Sequence, residues 1–186
     1  MNASAVKKSL FVVGVLALVV VLVAGYKYGL PQMNEVPQAS DTASKNESSY
    51  GYPEALSYES FDIPVLASLG LPIILDFGAE ECIPCQRMKP DLIAAWQSLE
   101  GRATIAFMDA WKNPAQASLF PIRTIPSQVI YNPDGTPFKA PSDTKFNFIE
   151  YRDKDTNQLK FTVHEGALTQ ADFEEIARMV EDARKA

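Results

Sequence analysis

The sequence predicts an α/β domain in which a central mixed β-sheet is flanked by helices. Short apolar runs, of the length of buried strands, alternate with segments whose apolar residues recur every three or four positions. Toward the end of the chain, two apolar runs flank a polar turn as the strands of a β-hairpin do. The predicted order is helix, strand, helix, strand, helix, strand, hairpin and helix, which favours helices packed against one sheet.

The first half of the domain is predicted to contain two helices and a strand. A short helix is expected over 63–69, where Gly70 ends it, and the run 71–77 is expected to be a buried strand. Apolar residues at helical spacing then predict a helix with one apolar face, kinked at Pro90 and ended by Gly101. These apolar residues are Met88, Leu92, Ala95, Trp96 and Leu99.

The second half is predicted to contain two further strands, a short helix and the hairpin. Residues 103–108 and 127–131 form apolar runs typical of buried strands, and the Asn-Pro pair at 113–114 has the form of a helix start. Residues 146–151 and 159–163 are the predicted arms of the hairpin. Together these runs supply the remaining strands of the sheet.

The last helix has a clear start signal. Thr169 is followed three residues later by Asp172, which is the spacing of a capping box. Apolar residues at helical spacing then predict one buried face. They are Phe173, Ile176, Ala177 and Val180.

Residues 1–28 are predicted to be a signal peptide or a signal anchor. Lys7 and Lys8 precede residues 9–26, an uncharged apolar run whose length fits a cleaved export signal or a single membrane span. Lysines before such a run favour an amino terminus inside the cell. We therefore expect the rest of the chain in the periplasm or cell exterior of a bacterium. It is held there by one inner-membrane span, or is soluble in the periplasm if the signal is cleaved.

Residues 29–56 are predicted to be a flexible linker and residues 57–186 the folded domain. The linker is rich in small and polar residues with scattered prolines. Beyond residue 28 lie all 23 acidic residues and 14 of the 17 basic ones, so the formal charge there is 14 − 23, or −9. This acidity disfavours nucleic acid as a partner.

Cys82 and Cys85 are the only cysteines of the chain, and two residues separate them. A disulfide between them closes a loop too short to contribute much as a structural staple. They directly follow a predicted buried strand and open a predicted helix, which is the setting of a reactive thiol pair. The pair therefore predicts a redox function.

The segment 76–85, with the sequence DFGAEECIPC, resembles the active-site segment of the thioredoxin family. The resemblance continues through Ile125-Pro126 and residues 166–168 to the final helix, so it covers about 61–186. It implies a thioredoxin fold with a β-hairpin extension before the C-terminal helix. It also implies protein-disulfide reduction through the cysteine pair, without a cofactor.

Within this motif, each residue between and including the cysteines has an expected role. The dipole and free N–H groups of the helix start stabilise the thiolate of Cys82, which makes it the nucleophile. Cys85, one turn into the helix and more enclosed, is the resolving thiol. Pro84 stiffens the first turn, where its missing N–H is not needed. Ile83 replaces the glycine typical of thioredoxin and offers substrates an apolar contact.

Asp76 and the Ile125-Pro126 pair complete the predicted site. Burial at the end of an apolar strand should raise the pKa of Asp76 and let the carboxyl exchange a proton with Cys85. The alternative is a carboxylate paired with an ordinary donor. Pro126 resembles the cis-proline that lies against the disulfide in this family, and Ile125 would offer backbone groups to an extended substrate.

Three further positions depart from the thioredoxin pattern. Gly78 and Glu81 stand where the family usually has tryptophans, and Phe107 is expected near the place of a lysine that lies beside the aspartate in thioredoxin. The charges of Glu80 and Glu81 should oppose formation of the Cys82 thiolate and disfavour acidic substrates.

The expected substrates are disulfide-containing exported proteins. Because the compartment outside the membrane is oxidising, a reductase there needs electrons from a transmembrane thiol carrier, a partner that the resemblance implies. One alternative is a disulfide oxidase or isomerase on the same fold. Another is a copper or zinc metallochaperone that uses the cysteine pair with His164 as a third ligand. Otherwise His164, the only histidine, is predicted to be a surface residue of a strand.

Overall fold

A five-stranded mixed sheet lies between helices in the computed structural model, which describes residues 52–185. The strands are β1 (Ile73–Gly78), β2 (Thr104–Asp109), β3 (Ser127–Tyr131), β4 (Phe148–Arg152) and β5 (Leu159–Glu165). The helices are α1 (Ile63–Ala67), α2 (Ile83–Ser98), α3 (Pro114–Ala117) and α4 (Gln170–Ala183). A 3₁₀ turn, Glu54–Leu56, precedes them.

The strand order across the sheet is β2-β1-β3-β5-β4. β1 and β2 are parallel, whereas β3 pairs with β1 and β5 in antiparallel fashion, and β4 and β5 form an antiparallel hairpin. β1 is therefore a central strand, and all six of its residues are buried. The end of this strand leads directly to the cysteines.

Alternate residues of β1 supply two cores, one on each face of the sheet. Ile74 packs in a cluster with the apolar faces of α2 and α4, and Ile73 and Leu75 pack on the opposite side with Leu66 of α1. This alternation follows from the two-residue period of a strand. Because both faces are covered, the run carries apolar residues almost without interruption.

The predicted element order is confirmed. The bounds of β3 agree with the predicted 127–131, and the hairpin arms pair as expected. The capping box is also present: Thr169 accepts from the Asp172 N–H, and the Asp172 side chain accepts from the Thr169 N–H. α2 continues through Pro90.

The linker boundary needs a correction at its C-terminal end. The composition of residues 52–56 predicts a linker, but Tyr52 and Leu56 are buried in the core and residues 54–56 form a 3₁₀ turn. Tyr52 stacks on Phe107 of β2 with ring centroids 3.9 Å apart. Composition does not predict this start of the domain, because the two large side chains are buried by tertiary contacts with residues distant in the sequence.

The predicted signal or anchor, residues 1–28, and most of the predicted linker lie outside the described residues. Within residues 52–185, no helix has the length and apolar character needed to cross a membrane.

Candidate active site

The cysteine pair lies at the N-terminus of α2. Cys82 is the N-cap residue, and its Sγ accepts a hydrogen bond from the Cys85 N–H at 3.2 Å. The two sulfur atoms are joined as a disulfide, with Cα atoms 5.2 Å apart. Cys82 is 6% exposed and Cys85 is fully buried. A substrate can therefore reach Cys82, whose thiolate would receive the same N–H hydrogen bond.

Asp109, at the end of β2, connects the cysteine loop to the neighbouring loop. Its carboxylate accepts three backbone N–H groups, from Glu80 at 3.0 Å, Trp111 at 3.0 Å and Lys112 at 2.9 Å. The carboxylate is almost fully buried, and these bonds compensate for its lost hydration. The loop before Cys82 is thereby held against the sheet.

The acidic residues before Cys82 differ in their surroundings. Glu80 forms a salt bridge with Lys112 at 2.7 Å, and both side chains are about half exposed. Glu81 is exposed. Both charges are expected to oppose the Cys82 thiolate, but the Lys112 ammonium offsets the charge of Glu80.

Asp76 is fully buried in β1 and carries one hydrogen bond. Gln128 Nε2 donates to its Oδ1 at 2.7 Å, whereas Oδ2 is buried without a hydrogen-bond partner among the described residues. Burial raises the pKa of the Asp76 carboxyl to about 7, and the Gln128 hydrogen bond opposes this shift. The predicted rise in the pKa of Asp76 is confirmed, and the carboxyl therefore gains or loses its proton near neutral pH.

Phe107 forms an apolar wall beside the site. It is the register partner of Asp76 on β2, which confirms the expected position, and it is fully buried under the ring of Tyr52. Gly78 lies against this wall, since a Cβ there would be 2.8 Å from Phe107 Cε2 and 3.6 Å from Cys85 Sγ. The two departures from the thioredoxin pattern are thus in contact with each other.

Replacing Gly78 with alanine is expected to lower the free energy of unfolding by about 1–3 kcal/mol, because the buried ring cannot move aside freely. Urea denaturation of the oxidised protein measures the change. Phe107→Leu serves as the single control, and the double variant Gly78→Ala/Phe107→Leu should recover part of the loss. Additive losses in the double variant would contradict the proposed clash.

The Ile125–Pro126 peptide bond is cis, as the resemblance implied. The Ile125 carbonyl lies 3.8 Å from Cys82 Sγ, and Ile125 packs against the cysteines. The Pro126 carbonyl accepts from the Gly166 N–H at 2.9 Å, which ties this loop to the end of β5. The bend brings the Ile125 backbone beside the reactive sulfur.

Gln128 is a residue of the site that sequence reasoning missed. It is fully buried, and besides Asp76 it contacts His164, whose Nδ1 lies 2.8 Å from Gln128 Oε1. A glutamine inside an otherwise apolar strand was the signal that could have found it. His164 is half-buried rather than a surface residue as predicted, and burial lowers its pKa while the charges of Asp172 and Glu165 oppose that shift.

The structure does not bring His164 to the cysteines. His164 lies on β5, two strands from the β1 strand that leads to the cysteines, and its Nδ1 lies 2.8 Å from Gln128 Oε1. Among residues 52–185, no group of three or more His, Cys, Asp or Glu side chains is arranged to hold a metal ion. The ligand set suggested for a metallochaperone is therefore not assembled in this part of the chain.

Comparison with known proteins places these features in a family. The Thioredoxin family profile matches residues 53–149. Thioredoxin of Rickettsia bellii is 34% identical over 73 residues, covering 39% of this chain and 69% of its own length. Thioredoxin of Synechocystis is 36% identical over 76 residues, covering 41% and 70%. A crystal structure of chloroplastic thioredoxin z aligns with 63% of this chain and 85% of its own at 24% identity and a TM-score of 0.45.

The profile covers more than half of the chain and includes both cysteines, the buried Asp76 and the cis Pro126. Its first matched residue, Pro53, agrees with the earlier start of the domain seen in the structure. The chain therefore belongs to the thioredoxin family and is a thioredoxin-like disulfide reductase.

Proposed function

We propose that this chain is an exported, membrane-tethered reductase of disulfides in extracytoplasmic proteins. The redox part rests on one arrangement of residues. Cys82 caps α2 beside the cis Ile125–Pro126 bond, and α2 follows β1, the strand that holds the buried Asp76. The location is supported by the uncharged run 9–26 and the lysines that precede it.

The proposed reaction is a pair of thiol–disulfide exchanges. The Cys82 thiolate attacks one sulfur of a substrate disulfide, forming a mixed disulfide and releasing the other substrate sulfur as a thiolate that takes a proton. Cys85 then loses its proton and attacks Cys82 Sγ. The substrate leaves with its second sulfur as a thiol, and Cys82 and Cys85 become the disulfide. Two electrons have moved from the protein to the substrate.

Asp76 is proposed to take the proton of Cys85 in the second exchange. Its unpaired Oδ2 is a buried oxygen that can hold a proton, and a carboxyl with a pKa near 7 exchanges protons readily at neutral pH. Cys85 lies over the same face of β1, since its Sγ is 3.6 Å from a Cβ built on Gly78, two residues along the strand. The carboxyl and the buried thiol thus share one apolar compartment.

Substrates are proposed to bind as extended segments beside Cys82. The backbone of Ile125, fixed by the cis bond to Pro126, can pair with such a segment next to the sulfur it attacks. Ile83 is 61% exposed and presents an apolar side chain at the same place. Pro84 keeps this turn rigid.

The oxidised protein must be reduced again, and a transmembrane dithiol carrier is the proposed electron donor. An oxidase on the same fold would instead need an oxidant. An isomerase would need no net supply of electrons. The reduction potential of the Cys82–Cys85 couple separates them: a value near about −270 mV fits a reductase, and one near about −120 mV fits an oxidase.

Thiol trapping in intact cells tests location and direction together. A membrane-impermeant alkylating reagent is expected to modify Cys82 of the full chain, because the pair is reduced and faces outward. A variant without residues 1–28 is the matched control and should react only with a permeant reagent. Reaction of the full chain only after lysis would contradict export, and a fully oxidised pair would contradict reduction.

A further inference from the structure

A line of hydrogen bonds crosses the sheet from Asp76 to a half-buried histidine. Gln128 Nε2 donates to Asp76 Oδ1 at 2.7 Å, and Gln128 Oε1 lies 2.8 Å from His164 Nδ1. The register pairs Asp76 with Gln128 and Gln128 with His164, on the adjacent strands β1, β3 and β5. Directly opposed residues point to the same face of a sheet, so the three side chains form a row.

The donors and acceptors of this row fix its direction. When Asp76 is ionised its carboxylate only accepts, so the Gln128 amide must then present its NH₂ group to Asp76 and its oxygen to the histidine. His164 Nδ1 must then carry a hydrogen, which it does in the protonated ring and in one neutral tautomer. With Asp76 ionised, a flipped amide would place two hydrogen-bond acceptor oxygens against each other. The ring thereby holds the amide in the orientation that donates to the carboxylate.

We propose that Gln128 and His164 are positioning residues for thiol–disulfide exchange, which stabilise the charged form of Asp76 through this row of hydrogen bonds. The proposal rests on the proposed function, in which Asp76 takes the proton of Cys85. Gln128 supplies the single hydrogen bond that the buried carboxyl receives from the described residues. Without it, the ionised carboxyl would be buried with neither oxygen bonded.

Charged and titratable groups surround the two ends of the row. Glu165 on β5 and Asp172 on α4 act on His164. Tyr52 interacts electrostatically with Asp76, and Cys85 lies over the same strand face. Titration should therefore be measured on the disulfide form, in which the cysteines carry no proton. Each variant should be compared with the wild-type chain under the same salt conditions.

Carbon-13 NMR titration of the Asp76 carboxyl in the oxidised full chain tests the row directly. Gln128→Leu is expected to raise the titration midpoint by about 1 pH unit, because a hydrogen bond to a charged group is lost. His164→Ala should shift the midpoint in the same direction by less, and His164→Gln, which keeps an N–H donor, should restore it. Gln170→Leu, which replaces a glutamine bonded to Glu174 instead, should leave it unchanged.

A second measurement separates this proposal from the role of Asp76. The rate at which Cys85 resolves a mixed disulfide is followed against pH, and its midpoint should move with that of the carboxyl. If the Asp76 titration midpoint is unchanged in folded Gln128→Leu, the row of hydrogen bonds does not stabilise the charged carboxyl, and the proposal is overturned. If the Asp76 titration shifts but the pH profile of the Cys85 rate does not, Asp76 does not take the proton of Cys85. That result overturns both this proposal and the proposed proton transfer.

Discussion

Replacing Cys82 with serine is expected to lower the rate of disulfide reduction by at least about three orders of magnitude. A hydroxyl is hardly ionised near neutral pH, so the helix terminus has no thiolate to stabilise. Cys85→Ser should also stop turnover, but at a later stage: Cys82 still attacks, and the mixed disulfide with the substrate accumulates. Reduction of a disulfide-bonded test protein with dithiothreitol as electron donor measures the rate, and non-reducing electrophoresis detects the complex.

The double variant Cys82→Ser/Cys85→Ser is the control and should form no complex. The order of attack follows from exposure, because Cys82 is 6% exposed whereas Cys85 is fully enclosed. A stable complex formed by Cys82→Ser through Cys85 would contradict this assignment. Equal reactivity of the two single variants toward an alkylating reagent would contradict it as well.

Asp76→Asn is expected to stabilise the oxidised protein at alkaline pH by up to about 4 kcal/mol. Burial raises the carboxyl pKa from 3.8 in its ordinary range to about 7, and each pKa unit corresponds to about 1.4 kcal/mol. The folded state therefore binds the proton more tightly than the unfolded chain does. The same variant should slow the attack of Cys85, so stability is gained at the expense of activity.

The pH dependence has a definite sign. Below about pH 3.8 the carboxyl is protonated in both the folded and the unfolded state, so no charge is buried on folding. As the pH rises toward 7, the unfolded state loses its proton first, and the free energy of unfolding falls. Above pH 7 the full cost is present. Urea denaturation of wild type and Asp76→Asn at pH 4 and pH 8.5 should give a difference that grows with pH. Asp143→Asn, at an exposed aspartate, is the control, and a pH-independent difference for Asp76→Asn would contradict the argument.

Local signals predicted the elements well because their causes lie within a few residues. The capping box of Thr169 and Asp172 needs only one helical turn, and the buried run 127–131 is bounded by its own neighbours. The cis bond before Pro126 came from the family resemblance and is present. The roles assigned to Cys82 and Cys85 depend on a motif that is contiguous in the chain.

The start of the domain could not be predicted in the same way. Tyr52 lies in a polar, proline-containing stretch that has the composition of a linker, and only its stacking on Phe107 draws it into the core. The contact joins residues 55 positions apart in the sequence. Composition averages over neighbours and carries no information about such a partner.

The sequence by itself determined the fold class, the reactive pair Cys82 and Cys85, and a buried carboxyl next to them. Only the tertiary structure decided what surrounds that carboxyl. Antiparallel pairing of β3 with β1 and β5 places Gln128 between Asp76 and His164, which are 88 positions apart. The pKa of a buried group depends on such through-space neighbours, so the chemistry of the site emerges from strand register rather than from the motif alone.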